Sequence, residues 1–365
     1  MKKKGKVLIG MSGGVDSSVV AAMLKADGYE CIGFYLNLWA DPTQFSSEES
    51  KKFPQNKCCS IASMMFARQI AQKLDMPFYS LNLESEFKEK VVDYFIEGHR
   101  QGTTPNPCVS CNKNIKFGAM FKKMEELGCD FLATGHYVKI KKSKGKFTLH
   151  RGLDGSKDQS YFLYNLSQEK LSRLLFPLGD YTKPQTRELA KKYNLTELEG
   201  KRESQGVCFY PEATYKPFLE RYMKPGLDFK AGEIHDTHGK KLGEHEGLPF
   251  YTIGQRKGIK VGGGPALYVS GVDKIKNALI VGSEEELYSN SVKVTDMNFL
   301  TGVPPDDNEI FDIRMRNHGK FSRGRIKKIE NHFEVELLEP ERGVMAGQSL
   351  VLYRGTEVVG GGILT

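Results

Sequence analysis

The stretch Ser12-Gly13-Gly14-Val15-Asp16-Ser17 decides how the first half of this chain folds. Upstream, Lys6 to Met11 is a short β-rich run; downstream, Ser17 to Ala26 has helical periodicity, and Cys31 to Leu38 is strand-like again. The loop therefore joins a first strand to a first helix. Glycine and serine at that junction let backbone N–H groups and a helix N-terminus approach phosphate oxygens. Asp16 inside an anion site repels phosphate unless a cation is shared, which predicts Mg2+ bridging to a pyrophosphate. Neither Gly-Lys-Ser nor Gly-Lys-Thr occurs in the chain, which removes the Walker loop, and the spacing is not Gly-x-Gly-x-x-Gly. The plainer reading is a Gly-rich turn that only connects strand to helix.

The alternation continues outward from the loop. Helical patterns cover Ile61 to Leu74, Phe87 to Arg100 and Asn114 to Leu127, with strands at Phe78 to Leu83 and Phe131 to Thr134. Strands alternating with helices predict an α/β fold, a doubly wound parallel sheet. Residues 41–57 are polar and contain proline, and read as a mobile surface loop. Further helices are expected over Gln168 to Leu175 and Lys183 to Tyr193. From about Gly206 the character changes to short alternating segments broken by Gly, Asn and Asp, which predicts two small antiparallel β domains. Ala266 to Gly282 reads as a hairpin turning near Asp273 to Asn277, and Ser291 to Thr365 as a second barrel. The expected units are 1–205, 206–286 and 287–365.

Composition sets wide bounds. At 365 residues with 39% hydrophobic side chains, the chain can bury two or three cores. A net charge of +8, from 53 basic against 45 acidic side chains, suits an anionic partner such as RNA without demanding one. No apolar run approaches the roughly 20 residues that span a bilayer, so no membrane partner and a cytoplasmic location are expected. Seven cysteines form an odd set in a chain too large to need disulfide staples, which points to a reducing compartment. Cys111 stands beside Lys113 just ahead of a helical segment, a setting that favours a thiolate. Cys31 and Cys129 sit in or beside apolar runs and read as small buried hydrophobes. Cys58-Cys59 is a further pair with no role that the residues suggest.

Ser12 to Ser17 resembles the pyrophosphatase loop of the ATP-pyrophosphatase (PP-loop) superfamily. Thr104-Pro105-Asn106-Pro107, Cys111-Asn112-Lys113, Ala133-Thr134-Gly135-His136-Tyr137, Lys157-Asp158-Gln159-Ser160-Tyr161 and Gly206-Val207-Cys208-Phe209 resemble the tRNA-specific 2-thiouridylases within it. Gly254-Gln255-Arg256-Lys257-Gly258 and Gly347-Gln348-Ser349 carry the likeness almost to the C-terminus. The resemblance implies ATP held by Gly10, Met11, Ser12, Gly13, Gly14, Val15, Asp16 and Ser17, with Leu36 and Gly135. It implies a nucleophile at Cys111 and a persulfide-carrying cysteine at Cys208. It implies target-base contacts at Asn106, Pro107 and Cys108, and tRNA contacts at His136, Lys157, Asp158, Gln159, Arg316, Asn317 and Gln348. The implied partners are tRNA and a persulfide carrier protein or sulfide donor.

That resemblance further implies a reaction. A wobble uridine C2 oxygen would attack the α-phosphate of ATP, pyrophosphate would leave, and Cys208 persulfide would deliver sulfur directly or through hydrosulfide released by Cys111. A Cys111–Cys208 disulfide would remain. Two departures from the family pattern matter. Asn317 stands at a commonly aromatic position, and Cys108 at a common Asp, creating Cys108-x-x-Cys111. With Cys208, these residues could ligate an iron-sulfur cluster, and two or three cysteines could instead hold zinc. Clustered Arg314, Arg316, Lys320, Arg323, Arg325, Lys327 and Lys328 could neutralise tRNA phosphates or form a solvated face. Another adenylating ligase of the superfamily and a non-catalytic RNA-binding protein are the competing functions.

Overall fold

The computed structural model describes residues 4–39, 41–42, 60–143, 145–198, 200, 206–210, 212–262 and 264–365. Cys58 and Cys59, and all but the first two residues of the expected 41–57 loop, lie outside the described residues. In the first unit the strands are β1 (Lys6–Gly10), β2 (Glu30–Asn37), β3 (Phe78–Asn82), β4 (Phe131–Ala133), β5 (Val138–Ser143), β6 (Lys146–Arg151) and β7 (Leu174–Leu175). Five of them make a parallel sheet in the order β3-β2-β1-β4-β7. The alternation of β1 explains why this sheet is sandwiched: Val7 and Ile9 enter one core with the helices Val15–Ala26 and Ile61–Lys73, while Leu8 enters another with Phe117, Met120 and Phe121. The chain order reverses between β1 and β4, so the crevice beyond their carboxyl ends is where a doubly wound sheet binds ligands.

The second unit holds β8 (Gly232–Asp236), β9 (Lys241–His245), β10 (Tyr268–Asp273) and β11 (Ala278–Gly282), in the order β10-β11-β8-β9. The β10–β11 pair is antiparallel, as the hairpin reading predicts. The third contains β12 (Tyr288–Phe299), β13 (Phe311–Arg314), β14 (Ser322–Ile329), β15 (His332–Arg342), β16 (Ser349–Arg354) and β17 (Glu357–Leu364). β12 pairs with both β15 and β17, which closes the sheet into a barrel.

Three features depart from the local reading. The hairpin β5–β6 leaves the parallel sheet and adds to the barrel's β17, with Val358 opposite Leu149 and Glu357 opposite His150. It welds first and third units into one core, in which Tyr161, Tyr164, Val351, Tyr353 and Val358 pack with Phe117 and Leu132. The second is the helix expected from Asn114, which starts at Pro107 and runs without interruption over 107–126. Asn106 caps it by accepting the Val109 N–H at 3.3 Å, and Pro107 fills the first turn, where its missing N–H is harmless. Asp41, expected in a mobile loop, is buried: its carboxylate accepts from Arg221 at 2.9 Å and from the Tyr222 hydroxyl.

Candidate active site

At the end of β1 the chain turns through Ser12-Gly13-Gly14 into the helix Val15–Ala26. Gly13 has φ +74°, and a Cβ there would lie 2.4 Å from the Ser63 carbonyl oxygen, so only glycine fits. Ser17 ties the loop to itself: its hydroxyl accepts the Ser12 N–H at 3.2 Å and donates to the Gly14 carbonyl at 3.3 Å. Gly10 and Met11 lie at the base of this loop, with Met11 buried and its N–H bonded to Phe34 at 2.8 Å. Gly135, just past β4, closes the other wall. A Cβ on it would sit 3.0 Å from the Asp16 Cβ and 3.1 Å from the Ser17 nitrogen. Leu36 stands near the end of β2, against both the parallel-sheet core and the neighbouring core around Phe87. The result is a glycine-lined turn at the N-terminus of a helix and at the switch point of the sheet, the kind of place where phosphate groups bind.

Asp16, expected to share Mg2+ with phosphate, is held by side chains of the chain. Lys183 places its ammonium 2.7 Å and 2.8 Å from the two Asp16 oxygens, and the Tyr137 hydroxyl donates to the same carboxylate at 2.8 Å. The cation at this carboxylate belongs to the chain itself. Neither Lys183 nor Tyr137 is among the residues expected at the site. The available signal was Asp16, since a carboxylate in an anion loop demands some cation.

The cysteines lie where the helix 107–126 meets the second unit. Cys111 is buried in the core formed by Phe87, Phe95, Ile115, Phe209 and Phe218, and Cys208 packs against that same core from the turn before Phe209. Half-exposed Cys108, in the helix's first turn, faces the same neighbourhood: burial pushes the Tyr210 phenol up to about 12, and the charges of Cys108 and Cys208 add to that rise. A π-helical stretch begins at Cys111 and runs to Ala119, packed against a second over Lys88–Asp93. Such stretches are rare and recur at functional sites. Among the described residues, no three Cys, His, Asp or Glu side chains gather as metal ligands. The iron-sulfur or zinc set that Cys108, Cys111 and Cys208 could supply is thus not supported among the described residues: Cys111 is sunk in an apolar core while Cys108 stays half-exposed.

The expected tRNA contacts divide into two groups. Lys157 and Gln159 are half-exposed, and the Gln159 side-chain oxygen Oε1 accepts the Tyr137 N–H at 3.1 Å. Arg316 is exposed, bonded to the Arg342 carbonyl at 2.8 Å, and Asn317 lies beside His318. Gln348 holds the Thr104 carbonyl at 2.8 Å, while Thr104 donates to Ala346 at 2.7 Å, so the barrel braces the segment leading into Asn106-Pro107-Cys108. His136 and Asp158 are buried instead. His136 lies between Phe117 and Phe176 and bonds Thr134 at 2.7 Å; burial, helped by Lys116, holds its pKa well below the usual histidine value. The Asp158 carboxylate is fully enclosed, accepting from Ser160 Oγ at 3.0 Å, Ser160 N at 3.2 Å, Gly152 N at 3.3 Å and Arg151 at 3.3 Å, with Arg314 at 3.5 Å. Arg314 is thus an internal cation rather than part of a phosphate-facing cluster. On β14, Arg325 and Lys327 stand opposite Glu336 and Glu334 across the sheet.

Comparison with known proteins covers the whole chain. A tRNA methyl transferase HUP domain model matches residues 5–212, a tRNA methyl transferase PRC-barrel domain model 216–283, and an aminomethyltransferase beta-barrel domain model 289–364. The tRNA-specific 2-thiouridylase of Carboxydothermus hydrogenoformans is 42% identical over 362 residues, spanning 98% of this chain and 97% of that protein. The tRNA-specific 2-thiouridylase of Geobacter metallireducens is 43% identical over 363 residues, spanning 99% and 97%. A glycine-walled phosphate loop, two cysteines converging on one core and full-length kinship at this level lead to one conclusion: the chain belongs to the tRNA-specific 2-thiouridylase family.

Proposed function

We propose that this protein uses ATP to replace the C2 oxygen of the wobble uridine of tRNA by sulfur. The observation that carries the reading is the convergence of Cys111 and Cys208, far apart in sequence, on a single core beside the helix that Asn106 caps. The division of labour we infer gives ATP and Cys111 to 1–205 and Cys208 to the start of 206–286, with the remainder of 206–286 and 287–365 bracing the cysteines and the RNA.

In this reading the loop Gly10 to Ser17, with Leu36 and Gly135, holds ATP. The uridine C2 oxygen attacks the α-phosphorus, pyrophosphate leaves, and the base becomes an electrophile whose leaving group is AMP. The terminal sulfur of a Cys208 persulfide attacks C2 and AMP departs. Cys111 thiolate then attacks the Cys208 sulfur, which frees the thiolated base and leaves a Cys111–Cys208 disulfide; alternatively Cys111 first releases the sulfur as hydrosulfide. An external thiol returns both cysteines to the reduced state, and an upstream persulfide carrier reloads Cys208: the Cys208 thiolate takes the carrier's outer sulfur and the carrier leaves as a thiol. Asn106, Pro107 and Cys108, at the mouth of the helix, hold the extruded base, as a base must leave its stack to reach both ATP and cysteine. Mg2+ accompanies the nucleotide in this reading, but Asp16 already serves Lys183, so we route no step through that carboxylate. A methyl transfer, which the family-model descriptions name, would leave the adenylating loop and both cysteines without a task.

Cys111→Ser and Cys208→Ser test the assignment. Each is expected to abolish thiolation while ATP still binds. A normal thiolation rate in either variant would remove that cysteine from the reaction.

A further inference from the structure

Lys183 opens the helix Lys183–Lys192 and is only 8% exposed. Its place is tightly specified. Thr182 and Gln185 form a capping box, the Asp154 carboxylate accepts the Lys183 N–H at 3.0 Å, and the Tyr137 ring lies 5.8 Å from the ammonium. Burying an ammonium costs several kcal/mol before its partners offset it. An apolar side chain of similar length would cap the same core more cheaply, so a buried lysine aimed at a phosphate loop calls for a functional explanation.

Phosphates entering the cradle would meet the Asp16 carboxylate. The ammonium, 2.7 Å and 2.8 Å from its two oxygens, cancels that charge and stands beside the loop as a charged hydrogen-bond donor. We propose that Lys183 is a nucleotide-binding residue: its ammonium, held at the pyrophosphate loop by Asp16, meets the β and γ phosphates of the nucleotide. Asp16 and Tyr137 are then its positioning residues, with the Tyr137 hydroxyl, 3.0 Å from Thr186, fixing the carboxylate. This rests on the ATP reading above.

The test is equilibrium affinity of the full chain for ATP and for AMP, which lacks the pyrophosphate. Lys183→Met is expected to weaken ATP by about ten-fold or more and AMP by less than about two-fold, because a lost charge-assisted contact is felt only where the phosphates are. Lys183→Arg, which keeps the charge, is expected to restore most of the preference for ATP. Should Lys183→Met fail to fold, Lys183→Gln can still hydrogen-bond Asp16 without charge and is expected to show the same selective loss. Equal weakening of ATP and AMP, or unchanged ATP binding, in a folded neutral variant would overturn the proposal. Binding of ATP by the wild-type chain tests the nucleotide reading itself; only the change in the ATP-to-AMP preference tests Lys183.

Discussion

Replacing Asp158 by Asn keeps the side chain's shape and removes its charge, which separates two roles. The carboxylate is fully enclosed and faces two guanidiniums, Arg151 at 3.3 Å and Arg314 at 3.5 Å. Arg314 is itself nearly buried, stacked 4.3 Å over Phe321 and 5.9 Å from Tyr353. Asp158→Asn leaves that guanidinium in the interior without a compensating charge, and breaking one side of a buried ion pair costs about 3–5 kcal/mol. At roughly 2–4 °C per kcal/mol for a unit of this size, the melting midpoint should fall by about 6–20 °C. The damage should spread to the weld between hairpin β5–β6 and β17, since Ser160 also meets Tyr353 at 3.2 Å. Calorimetry on the variant, beside filter binding of tRNA at a temperature where it stays folded, separates the effects. We expect a large loss of midpoint with tRNA affinity changed less than about three-fold, and the opposite pattern for half-exposed Lys157→Ala. An unchanged midpoint with tRNA affinity lost in Asp158→Asn would refute the structural role.

Other outcomes follow from the same geometry. Gly135→Ala sets a methyl against Asp16 and Ser17 at 3.0–3.1 Å; it should cost about 1–3 kcal/mol, felt as weaker ATP binding, and wild-type ATP affinity would show that this wall does not border the nucleotide. His99, buried against Phe95 and Tyr215, has its pKa lowered to about 4 by burial, only partly opposed by its bond to the Phe95 carbonyl. The unfolded chain therefore binds a proton below about pH 6.5 that the folded chain refuses. Stability present above pH 6.5 should be lost as pH falls to about 4, by about 3 kcal/mol from this group. Denaturant titrations of wild type and His99→Phe across that window should differ in slope; parallel curves would remove His99 as the cause.

Much of the architecture was legible because its signals are local. The strand-loop-helix around Ser12 to Ser17 and the turn residues of the β10–β11 hairpin act over a few positions, and both appear as read. The helix from Pro107 was also locally encoded, by Asn106 as cap and Pro107 in the first turn, but the apolar periodicity drew its start to Asn114. Long-range pairings carried no such signal. Residues 138–151 alternate as a hairpin should, yet nothing in them announces that β6 will meet β17 two hundred residues later. The same holds at the site. Asp16 demanded a cation, and only the fold shows that Lys183 supplies one. Cys108, Cys111 and Cys208 had suitable chemistry for a cluster, but Cys111 lies among aromatic side chains and no metal-ligand group gathers among the described residues.

The most direct measurement incubates the purified chain with ATP, Mg2+, a sulfide or persulfide donor and unmodified tRNA, then digests the RNA and weighs its nucleosides. The account predicts a uridine heavier by the exchange of one oxygen for sulfur at the wobble position, with one AMP and one pyrophosphate released per base. AMP and pyrophosphate without thiouridine would contradict it.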